Sequence, residues 1–243
     1  KPWLSNVNFR KAMAYAIGRK KYCELSTKGL YVPSYRFILP LVRGDKGLYG
    51  KEFPLKYYTD DAKPAEAKKY MAKAMQELKI SDPSKITVEY LIQDMEECRL
   101  MAEVLQQQLE STLGIKFKIR LVTRKQRSEL EAKHDYDMVY HGWMPDYDDP
   151  MTYLETWVGG SSQNNSGYAS PKFDKLVENA QIEKDASKRM KMIFEAEKTI
   201  LDDAPLIPLQ IRRKAWMASP KLKGLSRPLV GAEYDFVRAY FTK

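Results

Sequence analysis

The chain has 243 residues, of which 44% are hydrophobic and 30% are charged, with a formal net charge of +9. This length is enough to bury one large core or two smaller ones. No run approaches the roughly 18 apolar residues that a membrane-spanning helix needs, and the start shows no signal peptide. Because a starting Met is also missing, we expect the chain to begin inside a longer protein.

The basic residues are spread among acidic ones and do not form a single patch. None of the basic clusters belongs to a zinc finger, an RRM-like aromatic motif or a continuous basic helix. They are typical of solvated helix faces, and we expect no nucleic-acid partner. The main clusters are Lys68-Lys69, Arg124–Arg127, Lys188–Lys191 and Arg212–Lys214.

Two cysteines and two histidines offer little for metal binding or covalent chemistry. Cys23 and Cys98 lie far apart without CxxC spacing, which does not support a metal site with His134 or His141. Each cysteine falls in a helix-like segment, where a buried thiol is the usual occupant. A disulfide is the alternative outside the cytoplasm. We expect no cofactor and no metal.

The first third of the chain is predicted to be two helices separated by an irregular segment. Apolar residues at helical spacing predict a helix from Asn8 to about Glu24, with Arg19-Lys20-Lys21 near its carboxyl end, where cations suit the helix dipole. Residues 28–58 are rich in Gly, Pro and Tyr and have little periodicity. A second helix is predicted over 63–78, with Pro64 in its first turn.

A β-α-β unit follows. The segment Ile86–Ile92 reads as a strand, Glu96–Leu113 as a helix ended by Gly114, and Ile115–Leu121 as a second strand. A right-handed crossover would make the two strands parallel neighbours. The unit indicates an α/β fold.

Further elements alternate over the rest of the chain. The prolines at 205 and 208 favour an edge position for the extended segment that contains them. In chain order, we expect a short helix at 127–133, a strand at 137–140, helices at 151–157, 171–182 and 186–202, an extended segment at 205–211, and turns with a short strand from 221 to 243.

The segment Gly142–Pro150 is the strongest candidate for a binding surface. It follows a predicted strand, and ligands of open α/β sheets bind beyond the carboxyl ends of strands. Trp143 and Tyr147 offer flat faces, and Asp146 could hold a cation such as an α-ammonium group. A purely structural turn is an equally weighted alternative. For Asp149, capping of the following helix is the preferred interpretation.

The polar loop at residues 159–168 has two interpretations. Its amides, including those of Asn164 and Asn165, could bind a ligand backbone, although a plain surface loop is the favoured alternative. The loop lacks the Lys of a phosphate-binding loop. A glycosidase would need a second carboxylate facing Asp146 at a defined distance, and no GxSxG elbow is present. We therefore expect no enzymatic activity.

Four segments match, in order and spacing, the motifs of one family. Together they resemble the oligopeptide-binding proteins, the family 5 extracellular solute-binding components of ABC importers. The segments are Asn6–Ile17 ("N…VRqAlayAid"), Asp137–Pro150 ("yDl…gW.aDYpDP"), Asn164–Leu176 ("N.sgY..p.fD.Ll") and Arg189–Pro208 ("R…y..aE.il..daPiiPl").

The resemblance implies a fold and a domain organisation. The fold would be α/β, with a mixed sheet flanked by helices, and would form the carboxyl-terminal lobe of a type II periplasmic-binding-protein-like fold. We expect residues 1–220 to form this ligand-binding lobe and residues 221–243 to be a tail returning toward an amino-terminal lobe absent from this chain. A signal peptide and a lipid-anchor cysteine would lie before Lys1.

The resemblance also implies a function. The protein would be a monomer outside the cytoplasm, in the periplasm or lipid-anchored at the outer face of the cell membrane. It would bind peptides in an interlobe cleft and deliver them to an ABC permease. Another solute, such as a nickel chelate, haem or a sugar, is the alternative, and a glycosidase-like enzyme is less favoured.

Carried over residue by residue, the resemblance makes Asp146 the anchor for a peptide's α-ammonium group. Trp143 and Tyr147 would line a side-chain pocket, with the loop at Asn164-Asn165 near the cleft. Some members place a cation three positions before the Trp, where this chain has Tyr140. His141 is a weaker candidate for that role. Neutralisation of the ligand's carboxyl terminus is therefore left open.

Overall fold

The computed structural model describes residues 1–243, and helices account for most of its regular structure. The helices are α1 (Pro2–Ser5), α2 (Val7–Ala16), α3 (Arg19–Thr27), α4 (Tyr49–Glu52), α5 (Pro64–Leu78), α6 (Glu96–Leu113), α7 (Arg124–Ala132), α8 (Met151–Leu154), α9 (Pro171–Ile182) and α10 (Ala186–Asp203). The strands are β1 (Val32–Pro33), β2 (Thr87–Gln93), β3 (Lys116–Val122), β4 (Met138–Val139), β5 (Gln210–Ile211), β6 (Leu222–Lys223) and β7 (Tyr240–Phe241). Short 3-10 turns lie at Pro83–Lys85 and Glu155–Trp157.

The central sheet has the order β3-β2-β4, and both of its pairings are parallel. The middle strand, β2, is largely buried, as expected for a parallel sheet covered by helices. Helix α6 connects β2 to β3 and ends at Gly114, whose φ of 70° is left-handed. The predicted β-α-β unit is confirmed, and the carboxyl ends of all three strands lie at one edge.

Two main hydrophobic clusters form the interior. The first packs α2, α3, α5 and α6 against the central sheet, with Phe9, Tyr22 and Leu105 fully buried. The second lies among α8, α9, α10 and the irregular segment before α5, with Phe173 and Ile193 at its centre. Each large apolar side chain that is fully buried stabilises its cluster by about 1.5–3 kcal/mol.

The predicted helix from Asn8 to Glu24 is wrong as a single element, because it is broken at Ile17 and Gly18. Both residues are extended, with ψ of 117° and 101°. The Gly18 amide donates to Gln108 Oε1 at 2.7 Å. A Cβ on Gly18 would lie 3.2 Å from the Ala62 nitrogen, so the close approach of these segments favours glycine.

Arg19 begins α3 and does not lie near the carboxyl end of a helix, so the predicted dipole role is also wrong. Its side chain is buried, and the guanidinium lies 4.0 Å from the centroid of the Tyr58 ring. It donates to the Pro208 carbonyl at 2.8 Å and to the Ala14 and Ile17 carbonyls. Burial lowers the pKa of Arg19 to about 10. The Arg19 guanidinium therefore connects the break between α2 and α3 to the segment around Pro208.

A buried ion pair fixes the irregular segment to α10. Arg36 and Glu197 are 5% and 0% exposed. Arg36 Nε donates to Glu197 Oε1 at 3.0 Å, and the same carboxylate accepts from the Ile38 amide at 2.9 Å and from Tyr49 Oη at 3.1 Å. The Glu197 carboxylate thus holds in place an irregular segment that contains almost no helix or strand.

The antiparallel pairings lie outside the central sheet. Strand β1 pairs with β5, and β6 pairs with β7. Of the predicted extended segment 205–211, only Gln210–Ile211 forms a strand. The last residues pack mainly on one another: Arg227 lies 4.8 Å from the Trp216 ring and 5.0 Å from the Tyr234 ring.

Cys23 and Cys98 are buried and unpaired, which confirms the buried-thiol interpretation. Burial raises the pKa of the Cys23 thiol to about 11. Among the helices, none is both long enough and apolar enough to cross a membrane.

Candidate functional site

The segment Gly142–Pro150, called the wall below, leaves the carboxyl edge of the sheet shortly after β4. Thr152, fully buried in α8, holds two points of it. Its Oγ1 accepts from Trp143 Nε1 at 3.3 Å and from the Asp146 backbone amide at 3.1 Å. Trp143 is half-buried against the second hydrophobic cluster. The indole and the start of the acidic run are therefore fixed to the same hydroxyl.

The three aspartates of the wall have different partners. Asp149 Oδ1 accepts from the Met151 amide at 2.9 Å, which confirms the predicted helix cap. Asp148 Oδ1 accepts from the Arg43 amide at 2.9 Å. The Asp146 carboxylate is exposed and accepts no hydrogen bond and forms no ion pair within the chain. Only Asp146 has a carboxylate free to meet a ligand.

Arg189 holds the base of the wall through Asp149. Its Nη1 and Nη2 donate to Asp149 Oδ2 and Oδ1 at 2.7 and 2.9 Å, a bidentate pair. These hydrogen bonds raise the pKa of Arg189. Sequence reasoning missed both Arg189 and Thr152, because neither carries a local signal that points to the wall.

Tyr147 presents part of its ring to solvent, with 39% of the residue exposed. Its hydroxyl donates to Glu155 Oε1 at 2.7 Å. Burial, and then this hydrogen bond, raises the pKa of the hydroxyl above its ordinary value. The ring is held in place while its outer face is free to contact an apolar group.

Tyr140 and His141 lie between β4 and the wall and differ in exposure. The Tyr140 hydroxyl accepts from Gln210 Nε2 at 2.8 Å, and burial raises its pKa. His141 is exposed, with Nδ1 3.7 Å from the buried Glu131, whose other carboxylate oxygen lies 2.9 Å from Arg127 Nε. The Tyr140 hydroxyl is thus hydrogen-bonded to a residue of β5, whereas His141 faces solvent.

The two asparagines of the polar loop have separate roles. Asn164 Nδ2 donates to the Trp157, Val158 and Tyr168 carbonyls, the last at 2.7 Å. Its side chain holds its own loop together, which favours the structural alternative for this residue. The Asn165 carbonyl accepts from His134 Nδ1 at 2.8 Å and from the Tyr136 hydroxyl, while its side-chain amide has no partner in the chain.

The wall therefore combines aromatic surface with one free negative charge. That arrangement suits a cation attached to an apolar body. Because Asp148 and Asp149 are both engaged, the wall does not offer the pair of free carboxylates that glycoside hydrolysis uses.

Known proteins are similar to this chain in sequence and in fold. The model of bacterial extracellular solute-binding proteins, family 5 (middle), matches residues 1–165. The oligopeptide-binding protein OppA of Bacillus subtilis (strain 168) is 30% identical over 244 residues, covering 98% of this chain and 43% of OppA. The dipeptide-binding protein DppE of the same organism is 29% identical, covering 93% of this chain and 41% of DppE.

A solved structure, Listeria monocytogenes OppA bound to peptide, superposes with a TM-score of 0.83 at 31% identity. The match covers 99% of this chain and 46% of that one. It confirms the predicted α/β, periplasmic-binding-protein-like fold class. The chain spans less than half the length of these relatives.

Proposed function

Because the chain belongs to the bacterial extracellular solute-binding proteins of family 5, as its four motifs predicted, we propose that it is one lobe of a peptide-binding protein. Residues 1–220 form the carboxyl-terminal ligand-binding lobe, and a second lobe completes the cleft. Hinge closure of the two lobes would enclose the ligand. The proposed protein acts as a monomer outside the cytoplasm, in the periplasm or lipid-anchored, and delivers peptides to an ABC permease.

The free carboxylate of Asp146 is the observation that carries the proposal. It lies three residues from Trp143 on the same Thr152-anchored wall, beside the half-exposed ring of Tyr147. A peptide's α-ammonium group would pair with Asp146, and its first side chain would contact the two rings. The unpaired side-chain amide of Asn165 is a further candidate for main-chain hydrogen bonds.

The proposed second lobe also accounts for the apolar surface of the tail, residues 221–243. Phe236, Val237 and Phe241 are 61%, 90% and 71% exposed. Apolar side chains clustered in this way mark surfaces that another unit covers. We propose that this tail returns to the second lobe.

Calorimetry on the two-lobed protein tests the anchor. Loss of one partner of a desolvated ion pair costs about 3–5 kcal/mol, so Asp146→Asn should weaken peptide binding at least a hundredfold. Acetylation of the peptide's amino terminus should weaken wild-type binding to a similar extent. The matched control is Asp148→Asn, whose carboxylate bonds to the chain's own Arg43 amide. Unchanged affinity for acetylated peptides would contradict the assignment.

The identity of the solute is tested separately by mass spectrometry of whatever co-purifies with the two-lobed protein. Peptides would support the proposal. A nickel chelate, haem or a sugar would replace it with another ligand class of the same family. The isolated chain should fold but bind peptides weakly, since one side of the cleft is missing.

A further inference from the structure

The two neighbouring asparagines of the polar loop differ in how firmly their side chains are held. Asn164 Nδ2 donates to three backbone carbonyls, and Asn164 Oδ1 accepts from the Ser166 hydroxyl at 2.7 Å. The side-chain amide of Asn165 has no hydrogen-bond partner within the chain, although the residue is half-buried. Asn164 is therefore held at both ends of its amide, whereas the Asn165 amide is free to rotate.

The backbone amides that follow the two asparagines differ in the same way. The amide after Asn164 is that of Asn165, and it donates to the Gln163 carbonyl at 3.0 Å. The amide after Asn165 is that of Ser166, and it donates to no group in the chain. Ser166 is also exposed, in a stretch without helix or strand. The Ser166 nitrogen is therefore free to approach the side chain of Asn165.

The Asn165 carbonyl, which shares a peptide group with the Ser166 nitrogen, accepts two hydrogen bonds. His134 Nδ1 donates to it at 2.8 Å, and the Tyr136 hydroxyl is the second donor. Burial raises the pKa of Tyr136, so this hydroxyl keeps its proton at neutral and mildly alkaline pH. Donors on a carbonyl oxygen stabilise negative charge that develops there. Loss of the proton from the Ser166 nitrogen places such a charge on this oxygen.

We propose that Asn165 is a self-modification site, at which the chain converts this asparagine into isoaspartate. The Ser166 nitrogen attacks Cγ of Asn165. A new N–Cγ bond forms, the Cγ–Nδ2 bond breaks, and ammonia leaves with the proton that the Ser166 nitrogen has lost. The product is a five-membered succinimide ring. Asparagine is among the residues that are chemically labile in proteins, and the reaction does not depend on the proposed peptide binding.

Hydrolysis of the succinimide has two directions, and in both the Ser166 nitrogen regains a proton from the water. Water that adds at Cγ gives aspartate. Water that adds at the main-chain carbonyl carbon gives isoaspartate, in which the main chain continues through Cβ and the former carbonyl is a free carboxylate. Because His134 and Tyr136 donate to that carbonyl oxygen, they favour the second direction. The loop thereby gains a negative charge and a longer main chain.

Ageing of the full-length protein at mildly alkaline pH, followed by mass spectrometry, tests the site. Trypsin leaves both asparagines in one peptide, residues 134–172, and fragment masses assign the lost amide to Asn164 or Asn165. Methylation by an isoaspartyl methyltransferase distinguishes isoaspartate from aspartate. The reference is the same protein aged in denaturant, where neither asparagine is held. In the folded protein Asn165 should convert at least about tenfold faster than Asn164, whose hydrogen bonds must break first.

Tyr136→Phe keeps the ring and removes one of the two donors. Conversion of Asn165 should slow by about tenfold, and the isoaspartate share of the product should fall toward its value in denaturant. Tyr35→Phe is the control, because the Tyr35 hydroxyl bonds to Asp60 and not to the loop. Its rate and its product ratio should both equal those of the wild type.

Three outcomes would overturn the inference. Equal rates at Asn164 and Asn165 in the folded protein would show that the hydrogen bonds of the loop do not select the site. An intact Asn165 in the folded protein, under conditions that convert the denatured protein, would show that the Ser166 nitrogen does not reach Cγ. A rate and a product ratio that are unchanged in Tyr136→Phe would show that the Tyr136 hydroxyl does not assist the reaction.

Discussion

The hydroxyl of Thr152 is a small group with two separate effects on the wall. It accepts hydrogen bonds from the indole of Trp143 and from the backbone of Asp146. Because Thr152 is fully buried, water cannot readily replace it as the acceptor. The position of the proposed anchor therefore depends on a side chain that no ligand would touch.

Thr152→Val keeps the shape of the side chain and removes the acceptor. Leaving buried donors unpaired costs about 1–3 kcal/mol, so we expect a loss of that order in the free energy of unfolding, with weaker peptide binding. Denaturant titration and calorimetry measure the two effects. Thr199→Val is the control, because that buried hydroxyl donates only within α10. Equal effects of the two substitutions on binding would contradict the role of Thr152.

At the element scale, the cap of α10 contains a carboxylate whose protonation depends on folding. Asp185 Oδ1 accepts from the Lys188 amide at 2.9 Å at the start of α10, and this hydrogen bond holds the pKa of Asp185 below its ordinary value. A carboxyl whose folded pKa is lowered stabilises the fold above its unfolded pKa. That contribution is lost as the pH falls through the lower, folded value.

We therefore expect the melting temperature to fall between about pH 5 and pH 3 as such carboxylates are protonated. In Asp185→Asn the amide oxygen still caps α10 but no longer titrates, so the fall should be smaller. Calorimetric melting across this range measures it. Glu178→Gln is the control, because Glu178 is exposed on α9 and accepts no hydrogen bond within the chain. An identical acid dependence in Asp185→Asn and the wild type would disprove the cap's contribution.

Local signals explain which elements could be predicted. Helices α6 and α9 begin and end where their periodicity and their Gly and Pro residues place them. The Asp149 cap was predictable because its partner is two residues away. The break at Gly18 and the burial of Arg19 were not, since their partners Gln108 and Pro208 are remote in sequence. The Asp149–Arg189 pair could not be predicted for the same reason.

On the scale of the whole molecule, the Arg36–Glu197 pair joins the irregular segment to the second hydrophobic cluster. Both side chains are buried, and the Glu197 carboxylate accepts four hydrogen bonds from residues 36, 38 and 49. Removal of one partner leaves an uncompensated buried charge. A single substitution at Arg36 or Glu197 is therefore expected to destabilise the second cluster.

Glu197→Ala should lower the free energy of unfolding by about 3–5 kcal/mol. Hydrogen exchange should show lost protection in α9 and α10, with β2, β3 and α6 less affected. Glu195→Ala is the control on the same helix, because its pair with Lys198 is half-exposed and contributes little. Uniform loss of protection across both clusters would contradict a local role for the pair.

The pairing of β1 with β5 joins Val32 to Ile211, and Arg10 likewise donates to the carbonyls of Asp203 and Ala204. A ribosome releases the amino-terminal end first. When residues 7–33 emerge, the carbonyls of Asp203, Ala204 and Pro208 that accept from Arg10 and Arg19 have not yet been synthesised. Bringing segments so far apart in sequence together costs conformational entropy, and the chain loses that entropy before the contacts form. Helices α2 and α3 thus reach their final state only after the segment near residue 210 has been synthesised.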